Sequence, residues 1–147
     1  AVFVHDAVDY LTTVEDLAAA VETAALHCRP GGAVLFAPDE VVETFRPITS
    51  TGGHSDDARS FRYDSRTWDP DPDDSTYLME MTYRLEEEGQ PTRVVEDPHV
   101  LGLFPRATWL DLFRAAHLVP TIVPSEHSEQ HHVIDVFVAT PEEGAAD

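Results

Sequence analysis

Side chains that could serve a reaction follow the first apolar run of the chain. Ala1–Val4 is apolar, and His5, Asp6, Asp9 and Tyr10 come directly after it. In open α/β sheets, ligands bind at the carboxyl ends of the strands. Asp6 at such an end can accept a proton or attract a cationic amine, and we predict a catalytic role for it. The structural alternative is that Asp6 and Asp9 make a turn while Tyr10 packs.

A histidine and a basic cluster further along the chain are also candidates. Histidine is the side chain that titrates near neutral pH, so His99, on a predicted strand, is a candidate catalytic base. Arg62, Tyr63 and Arg66 can contact an anionic part of a substrate, such as a nucleotide diphosphate. The alternatives are a hydrogen-bonded structural histidine and solvent-exposed strand arginines.

Two further groups resemble metal-binding patterns without meeting their requirements. The run Asp69–Asp74 lacks the turn glycine and the distal glutamate of a calcium loop, and we predict a solvated, proline-stiffened hairpin there. His127 and His131 would lie together only on a helix, whereas the sequence around them and His132 predicts a loop leading into a strand. We therefore predict no metal ligands.

The elements that position the first candidates are a strand, a helix and a second strand. Thr12 and Glu15 fit a capping box at the start of the helix. Apolar residues then recur at helical spacing, at Leu17, Val21, Ala24 or Ala25, and Cys28. Pro30, Gly31 and Gly32 make a turn into the apolar run Ala33–Ala37, which is typical of a central parallel strand. This order predicts one right-handed crossover between adjacent parallel strands.

The rest of the chain changes its periodicity to two. We predict a short helix over Asp39–Phe45 and then a flexible polar connection over residues 46–60. Apolar residues next alternate with polar ones in three half-buried antiparallel strands, around 61–64, 77–85 and 92–104. A helix that opens at Phe104–Arg106 and two strands, at 121–124 and 131–140, follow them, before an acidic tail from 141.

Composition limits the partners of the chain. It has 147 residues, 42% of them hydrophobic, with a formal net charge of −19. A surface with this much negative charge repels phosphate backbones and anionic lipid. This repulsion excludes nucleic acid and membrane surfaces as partners and favours a small-molecule substrate. The single Cys28 cannot form an internal disulfide, and we predict a cytoplasmic protein.

The order of elements and several motifs resemble the carboxy-terminal half of a class I S-adenosylmethionine-dependent methyltransferase. The matching segments are 1–11, the helix from Glu15, and the turn 29–32, which resemble the family's fourth strand, the next helix and the turn into its fifth strand. Segments 96–104 and 109–118 are similar to the strand and helix before its last hairpin. The small-molecule N-methyltransferases of amino sugars carry a similar antiparallel insertion.

The resemblance implies a fold, a cofactor and a set of residues. The expected fold is the carboxy-terminal half of a Rossmann-like methyltransferase, with parallel strands, a terminal antiparallel hairpin and an inserted antiparallel sheet. The expected cofactor is S-adenosylmethionine, with Val4 and His5 lining its methionine part and Tyr10 closing the pocket beside the sulfonium. Asp6 and His99 are the expected catalytic residues, and the methyl acceptor is an amine or a hydroxyl of a small molecule.

The resemblance also predicts a division of the chain into one partial domain. Residues 1–45 and 105–140 form its Rossmann-like core, 58–104 its substrate-side insertion and 141–147 a tail. The family's glycine-rich turn and the acidic residue ending its second strand have no match here. We therefore expect the chain to lack the main cofactor-binding half and to be inactive alone.

Two alternatives stay open. One is a non-catalytic binding or dimerisation module derived from this fold. Its first strand would have an open edge, which invites pairing with a second copy or with a missing amino-terminal half. The other is a nicotinamide-dependent oxidoreductase, a class that shares the strand–helix order.

Overall fold

The computed structural model describes residues 1–127 and 132–142. The chain forms two compact units, Ala1–Phe45 with Gly102–Asp147, and Arg46–Leu101. In chain order the elements are β1 (Val2–His5), a 3₁₀ helix (Ala7–Tyr10), α1 (Val14–His27), β2 (Val34–Ala37), β3 (Ile48–Ser55), β4 (Arg59–Trp68), β5 (Thr76–Glu87), β6 (Arg93–Gly102), α2 (Arg106–Ala115), β7 (Leu118–His127) and β8 (His132–Pro141). The predicted α/β class is confirmed. Within the described residues, no helix has the length and hydropathy of a membrane span.

The first unit contains a mixed sheet with the strand order β1-β2-β8-β7. β1 and β2 are parallel, in a register that runs from Val2 opposite Val34 to His5 opposite Ala37. β8 pairs antiparallel with both β2 and β7. The predicted pair of adjacent parallel strands, connected through a helix, is therefore confirmed. Its consequence for function is that the carboxyl ends of β1 and β2 lie side by side.

Helix α1 begins one residue later than the predicted capping box places it. Thr13, with an extended backbone, is the N-cap, and its hydroxyl oxygen accepts a 3.1 Å hydrogen bond from the Asp16 N–H. The Thr13 hydroxyl donates in return to Asp16 Oδ2 at 2.8 Å. The assignment of Thr12 and Glu15 to these roles was wrong because the reciprocal pair forms one position further along. The predicted buried stripe is present at Leu17, Val21 and Ala24.

Aromatic side chains hold the core of the first unit together. Phe36 on β2, Trp109 and Phe113 on α2, and Phe137 on β8 are all buried. The Trp109 and Phe137 rings stack with their centroids 4.9 Å apart. Contacts of this kind add about 0.5–1.5 kcal/mol per pair to the free energy gained by burying the rings. The packed core therefore fixes the positions of β2 and its neighbouring strands, including the carboxyl ends of β1 and β2.

The second unit is a four-stranded sheet with the order β3-β4-β5-β6. β4 pairs antiparallel with β5 and with β3, whose pairing with β4 runs from Ile48 opposite Thr67 to Ser55 opposite Ser60. The predicted alternation on β4 and β5 is confirmed, but the flexible connection predicted over 46–60 is wrong. Most of this polar segment forms the edge strand β3, because β4 offers backbone hydrogen-bonding partners along the whole length of β3.

The two glycines that suggested a flexible segment have a steric role within β3. A Cβ atom at Gly52 would lie 2.5 Å from Cε1 of the Tyr63 ring, and a Cβ at Gly53 would lie 2.3 Å from the carbonyl oxygen of Phe61. Real Cβ atoms do not approach other atoms this closely. The glycines therefore allow β3 to lie against β4 and its side chains.

The helix predicted over Asp39–Phe45 is also wrong. This segment forms turns, in which Val41 O accepts hydrogen bonds from the N–H groups of Thr44 and Phe45. The Val42 N–H donates instead to Phe104 O at 3.3 Å, a residue far away in sequence. That long-range bond and the burial of the Val41 side chain stabilise the turns, and no helix forms here.

Candidate functional site

The candidate site of the first unit lies at the carboxyl ends of β1 and β2. His5 is the last residue of β1 and pairs with Ala37, the last residue of β2. Asp6 follows His5 directly, and Asp39 follows Ala37 after one proline. Because the two strands are parallel and adjacent, their carboxyl ends bring these side chains to one edge of the sheet.

The imidazole of His5 connects the two strand ends. Its Nδ1 lies 2.8 Å from Ala37 O, and since a carbonyl oxygen only accepts, Nδ1 carries a hydrogen. Its Nε2 lies 3.1 Å from Asp6 Oδ1. The hydrogen bond to Ala37 O, which outweighs partial burial, and the negative charges of Asp6, Asp39 and Asp9 raise the pKa of His5 above 6.5. The site therefore favours a positive charge at this position.

Asp6 has a rare backbone conformation. Its φ of 50° and ψ of −60° lie outside the regions that residues other than glycine normally occupy. This conformation turns the chain from β1 into the 3₁₀ helix, and the Asp6 side chain is 80% exposed beside His5. Strained backbone of this kind is concentrated at functional sites in proteins. Among the described residues, only Asp6 and His117 combine a positive φ with a residue other than glycine.

The carboxyl group of Asp9 lies behind this edge and is only 4% exposed. Its Oδ1 accepts a 3.0 Å hydrogen bond from the Asp39 N–H, whereas its Oδ2 has no hydrogen-bond partner among the described residues. Burial and the negative charge of Asp39 raise the pKa of Asp9 to about 7, although the Asp39 hydrogen bond and His5 partly oppose that shift. Asp9 thus changes its charge near neutral pH.

The structure gathers a histidine and two carboxylates that the sequence did not bring together. One ligand atom each from His5, Asp6 and Asp39 lies within 4.8 Å of the others. Asp39 was not among the predicted site residues, because nothing in its local sequence pairs it with β1. Its position after a predicted parallel strand is the signal that could have found it.

The remaining predicted residues of the first unit flank this group. Val4, one residue before His5 on β1, is partly buried and packs against the hydrophobic core. Tyr10 ends the 3₁₀ helix, and its side chain is exposed. Val4, His5, Asp6 and Tyr10 therefore lie along one short segment, and their roles toward a cofactor stay predictions.

His99 belongs to the second unit, on β6. Its Nε2 lies 3.2 Å from Asp97 Oδ2, and its side chain is 19% exposed. Residues two apart on a strand face the same side of a sheet, so the sequence pattern Asp97-Pro98-His99 produces this pair. A carboxylate next to an imidazole orients the ring, as the partner of a general base does. The catalytic role of His99 stays a prediction.

The predicted basic cluster has two environments on β4. Arg62 lies directly opposite Arg84 of β5, and both are exposed. Arg66 instead places its guanidinium carbon 4.5 Å from the centroid of the Trp68 ring, in a cation–π contact. Tyr63 covers Gly52 of the neighbouring strand. Contact of this cluster with an anion stays a prediction.

The two metal-like patterns have different outcomes. The run from Asp69 links β4 to β5, and Asp69 Oδ1 and Asp74 Oδ1 accept hydrogen bonds from the N–H groups of Asp71 and Thr76. These carboxylates therefore stabilise the predicted hairpin turn. Of the three histidines, His127 ends β7 and its backbone pairs with that of His132 on β8, while His131 lies outside the described residues.

The chain is similar to known methyltransferases in both sequence and fold. No protein-family model matches the chain. Among curated proteins, it is 33% identical over 119 residues to the dTDP-3-amino-3,4,6-trideoxy-alpha-D-glucopyranose N,N-dimethyltransferase of Streptomyces venezuelae. The matched region is 80% of this chain and 48% of that enzyme, so the chain spans about half the length of the curated relative.

Solved structures give the same picture. The crystal structure of Streptomyces venezuelae DesVI has a TM-score of 0.79 and 28% identity, covering 95% of this chain and 58% of that chain. S-adenosylmethionine-bound CalS10, an amino pentose methyltransferase from Micromonospora echinaspora, has a TM-score of 0.78 and 24% identity, covering 94% and 57%. The sugar N-methyltransferase KedS8 from Streptoalloteichus has a TM-score of 0.80 and 21% identity, covering 96% and 56%. The last two likenesses show the fold alone.

Proposed function

Since the chain is a relative of the class I S-adenosylmethionine-dependent methyltransferases and resembles the amino-sugar N-methyltransferases, we propose that it takes part in methyl transfer to a small amine. The donor is S-adenosylmethionine, and the acceptor is the amino group of a sugar. The 33% identity over 119 residues to a sugar N,N-dimethyltransferase carries this proposal. The same proposal makes the first unit the carboxy-terminal part of a Rossmann-like methyltransferase fold, and the second unit its substrate-side insertion.

The strand ends of the first unit fit the chemistry of such a donor. S-adenosylmethionine supplies a methyl group on a positively charged sulfonium. Val4 and His5 would line the methionine part of the bound cofactor, and the exposed ring of Tyr10 would cover the sulfonium. The carboxylates of Asp6 and Asp39 make this edge negative, which favours both a sulfonium and a protonated amine.

The reaction itself is an in-line displacement. A bond forms between the acceptor nitrogen and the methyl carbon while the bond from that carbon to sulfur breaks, and the nitrogen loses a proton. Holding the two reactants in line lowers the barrier by about 7–11 kcal/mol, so positioning supplies most of the rate. Asp6 or the His99–Asp97 pair takes the proton, which adds about 10²–10⁴-fold.

A methyl-transfer assay tests this proposal. Because the chain spans 48% of its curated relative, radiolabelled S-adenosylmethionine and amino-sugar nucleotides are supplied both to the chain alone and to a gene product extended to the relative's length. We expect transfer by the extended protein, and a loss of at least about 100-fold in kcat for the variant, Asp6→Asn or His99→Gln, that removes the proton acceptor. His54→Gln, at an exposed histidine of β3, is the matched control. An extended protein that neither binds the donor nor transfers methyl contradicts the proposal.

One observation favours the second candidate, a non-catalytic module that assembles through β1. β1 is an edge strand of the first sheet, and the ring of Phe3 on it is 63% exposed. An exposed apolar edge strand is a template for pairing with another chain. Light scattering coupled to size exclusion, combined with donor titration by calorimetry, separates the candidates. Dimers that do not bind the donor favour this module, whereas donor binding favours the enzyme.

A further inference from the structure

The carboxyl ends of β1 and β2 present a set of ligand atoms with the spacing of a metal site. His5 Nε2 and Asp6 Oδ1 are 3.1 Å apart. A carboxylate oxygen of Asp39 completes a group whose members all lie within 4.8 Å of one another. In an octahedral shell with bonds of about 2.1 Å, adjacent ligands are about 3.0 Å apart and opposite ligands about 4.2 Å apart. Since the 4.8 Å limit exceeds both of these distances, a bound ion would draw the three side chains closer together.

We propose that His5, Asp6 and Asp39 bind a divalent transition-metal ion, through His5 Nε2 and one carboxylate oxygen from each aspartate. The inference does not rest on the proposed function, because it concerns ion binding by residues of this chain alone. It also goes beyond the sequence, which predicted no metal ligands.

The orientation of His5 supports this assignment. Histidines that bind metals almost always donate their other ring N–H to a carbonyl or carboxylate, which fixes the tautomer. His5 does this by donating from Nδ1 to Ala37 O at 2.8 Å. In the neutral ring, the lone pair of Nε2 then faces the Asp6 carboxylate at 3.1 Å. Two acceptors at this distance need a cation between them, which is either a proton or a metal ion.

Asp9 supplies the second, independent observation. It is a buried carboxylate that does not belong to the ligand set, and its Oδ1 holds the backbone N–H of Asp39 at 3.0 Å. Its Oδ2 has no hydrogen-bond partner among the described residues. An uncompensated buried carboxylate is costly unless positive charge lies close by. An ion bound by Asp39 and His5 would place two positive charges next to the Asp9 carboxylate. Asp9 would in turn orient Asp39 through the hydrogen bond from the Asp39 N–H.

The donor set indicates which ions fit. One imidazole nitrogen and two carboxylate oxygens suit ions between the soft thiolate-binding metals and the oxygen-binding Mg²⁺ and Ca²⁺. Mn²⁺ and Zn²⁺ are therefore the expected occupants. Three protein ligands also leave coordination positions open to water or to a heteroatom of a bound molecule.

Mn²⁺ titration followed by electron paramagnetic resonance tests the site on purified, chelator-treated protein. We expect one saturable Mn²⁺ per chain, with affinity weakened at least about tenfold in Asp6→Asn and in Asp39→Asn. Asparagine has nearly the same shape as aspartate, so Asp6→Asn should keep its fold, which circular dichroism checks. Asp57→Asn, which removes an exposed carboxylate elsewhere, is the matched control and should bind like the parent.

Other outcomes overturn the inference. Equal Mn²⁺ binding by the parent, both site variants and the control would show diffuse attraction to an acidic surface. No saturable binding at millimolar Mn²⁺ would show that the His5–Asp6 pair holds only a proton. Because methyl transfer is not measured, either result leaves the proposed function to its own assay. In the folded parent, Zn²⁺ should also shift the ¹⁵N resonance of His5 Nε2, and an unchanged resonance would contradict the assignment.

Discussion

Replacing Asp9 by asparagine is predicted to stabilise the folded protein above pH 7 and to leave it unchanged below pH 4. Asparagine has nearly the same shape, and its side-chain oxygen can still accept the hydrogen bond from the Asp39 N–H. What the substitution removes is a negative charge on a side chain that is 4% exposed. Burial penalises that charge, and the neighbouring Asp39 repels it.

The size and the sign follow from the pKa of Asp9, which rises from 3.8 to about 7 in the folded state. Between these values the folded protein binds more protons than the unfolded chain, so its stability falls as pH rises through this window and levels off above it. At about 1.36 kcal/mol per pH unit, the full difference corresponds to about 4 kcal/mol. Relaxation of the site and water entry reduce this figure, and we expect Asp9→Asn to gain about 1–4 kcal/mol at pH 8.

Urea denaturation of both proteins from pH 4 to pH 8, in a buffer with chelator, measures the difference. His5 contributes in the same direction, because its raised pKa gives stability below pH 6.5 that is lost as pH rises. His5 is common to both proteins, so the difference between their curves reports mainly on Asp9. A difference that does not change with pH, or an Asp9→Asn protein that is less stable at pH 8, would refute the reasoning.

Three further substitutions test other parts of the first unit. Asp135→Asn is expected to destabilise the protein by about 1–3 kcal/mol at pH 7, because it breaks the 2.6 Å ion pair between this buried carboxylate and Arg106. Urea denaturation measures the loss, and an unchanged midpoint would contradict this expectation. Thr13→Ala should cost about 1 kcal/mol by removing the N-cap bond to Asp16, while Thr13→Ser restores most of it. Phe137→Ala should cost about 3–5 kcal/mol through the cavity that it leaves, measured by thermal and chemical unfolding; a loss below 1 kcal/mol would contradict the packing described here.

The parallel pair in the first unit was predictable because its signals are local. Two short apolar runs, a helix between them and the turn before Ala33 leave one favoured handedness for the crossover. Gly31 in that turn has a φ of 75°, a conformation that suits glycine. Once β1 and β2 are parallel, His5 and Asp6 must lie at the same edge as the end of β2.

The features that the sequence did not predict depend on contacts between distant residues. β3 contains Gly52-Gly53, which has low intrinsic preference for a strand, and its pairing with β4 overrides that preference. In the segment after Asp39, where a helix was predicted, the Val42 N–H bonds to Phe104 O instead. Asp39 lies near His5 and Asp6 only because β1 and β2 pair in this register, and no local sequence pattern predicts that register.

The two buried carboxylates of the described residues show why the strand ends are the best candidate for a site. Asp135 accepts two hydrogen bonds from Arg106, so its charge is compensated within the fold. Asp9 accepts one backbone hydrogen bond and keeps an oxygen without a partner. Three residues before Asp9, Asp6 has a strained backbone. Two costly features therefore coincide at these strand ends, and the proposed ion would supply the stabilising contribution that the fold does not. The ion titration tests that contribution, and the pH dependence of Asp9→Asn, measured with chelator, tests the cost of the buried charge without the ion.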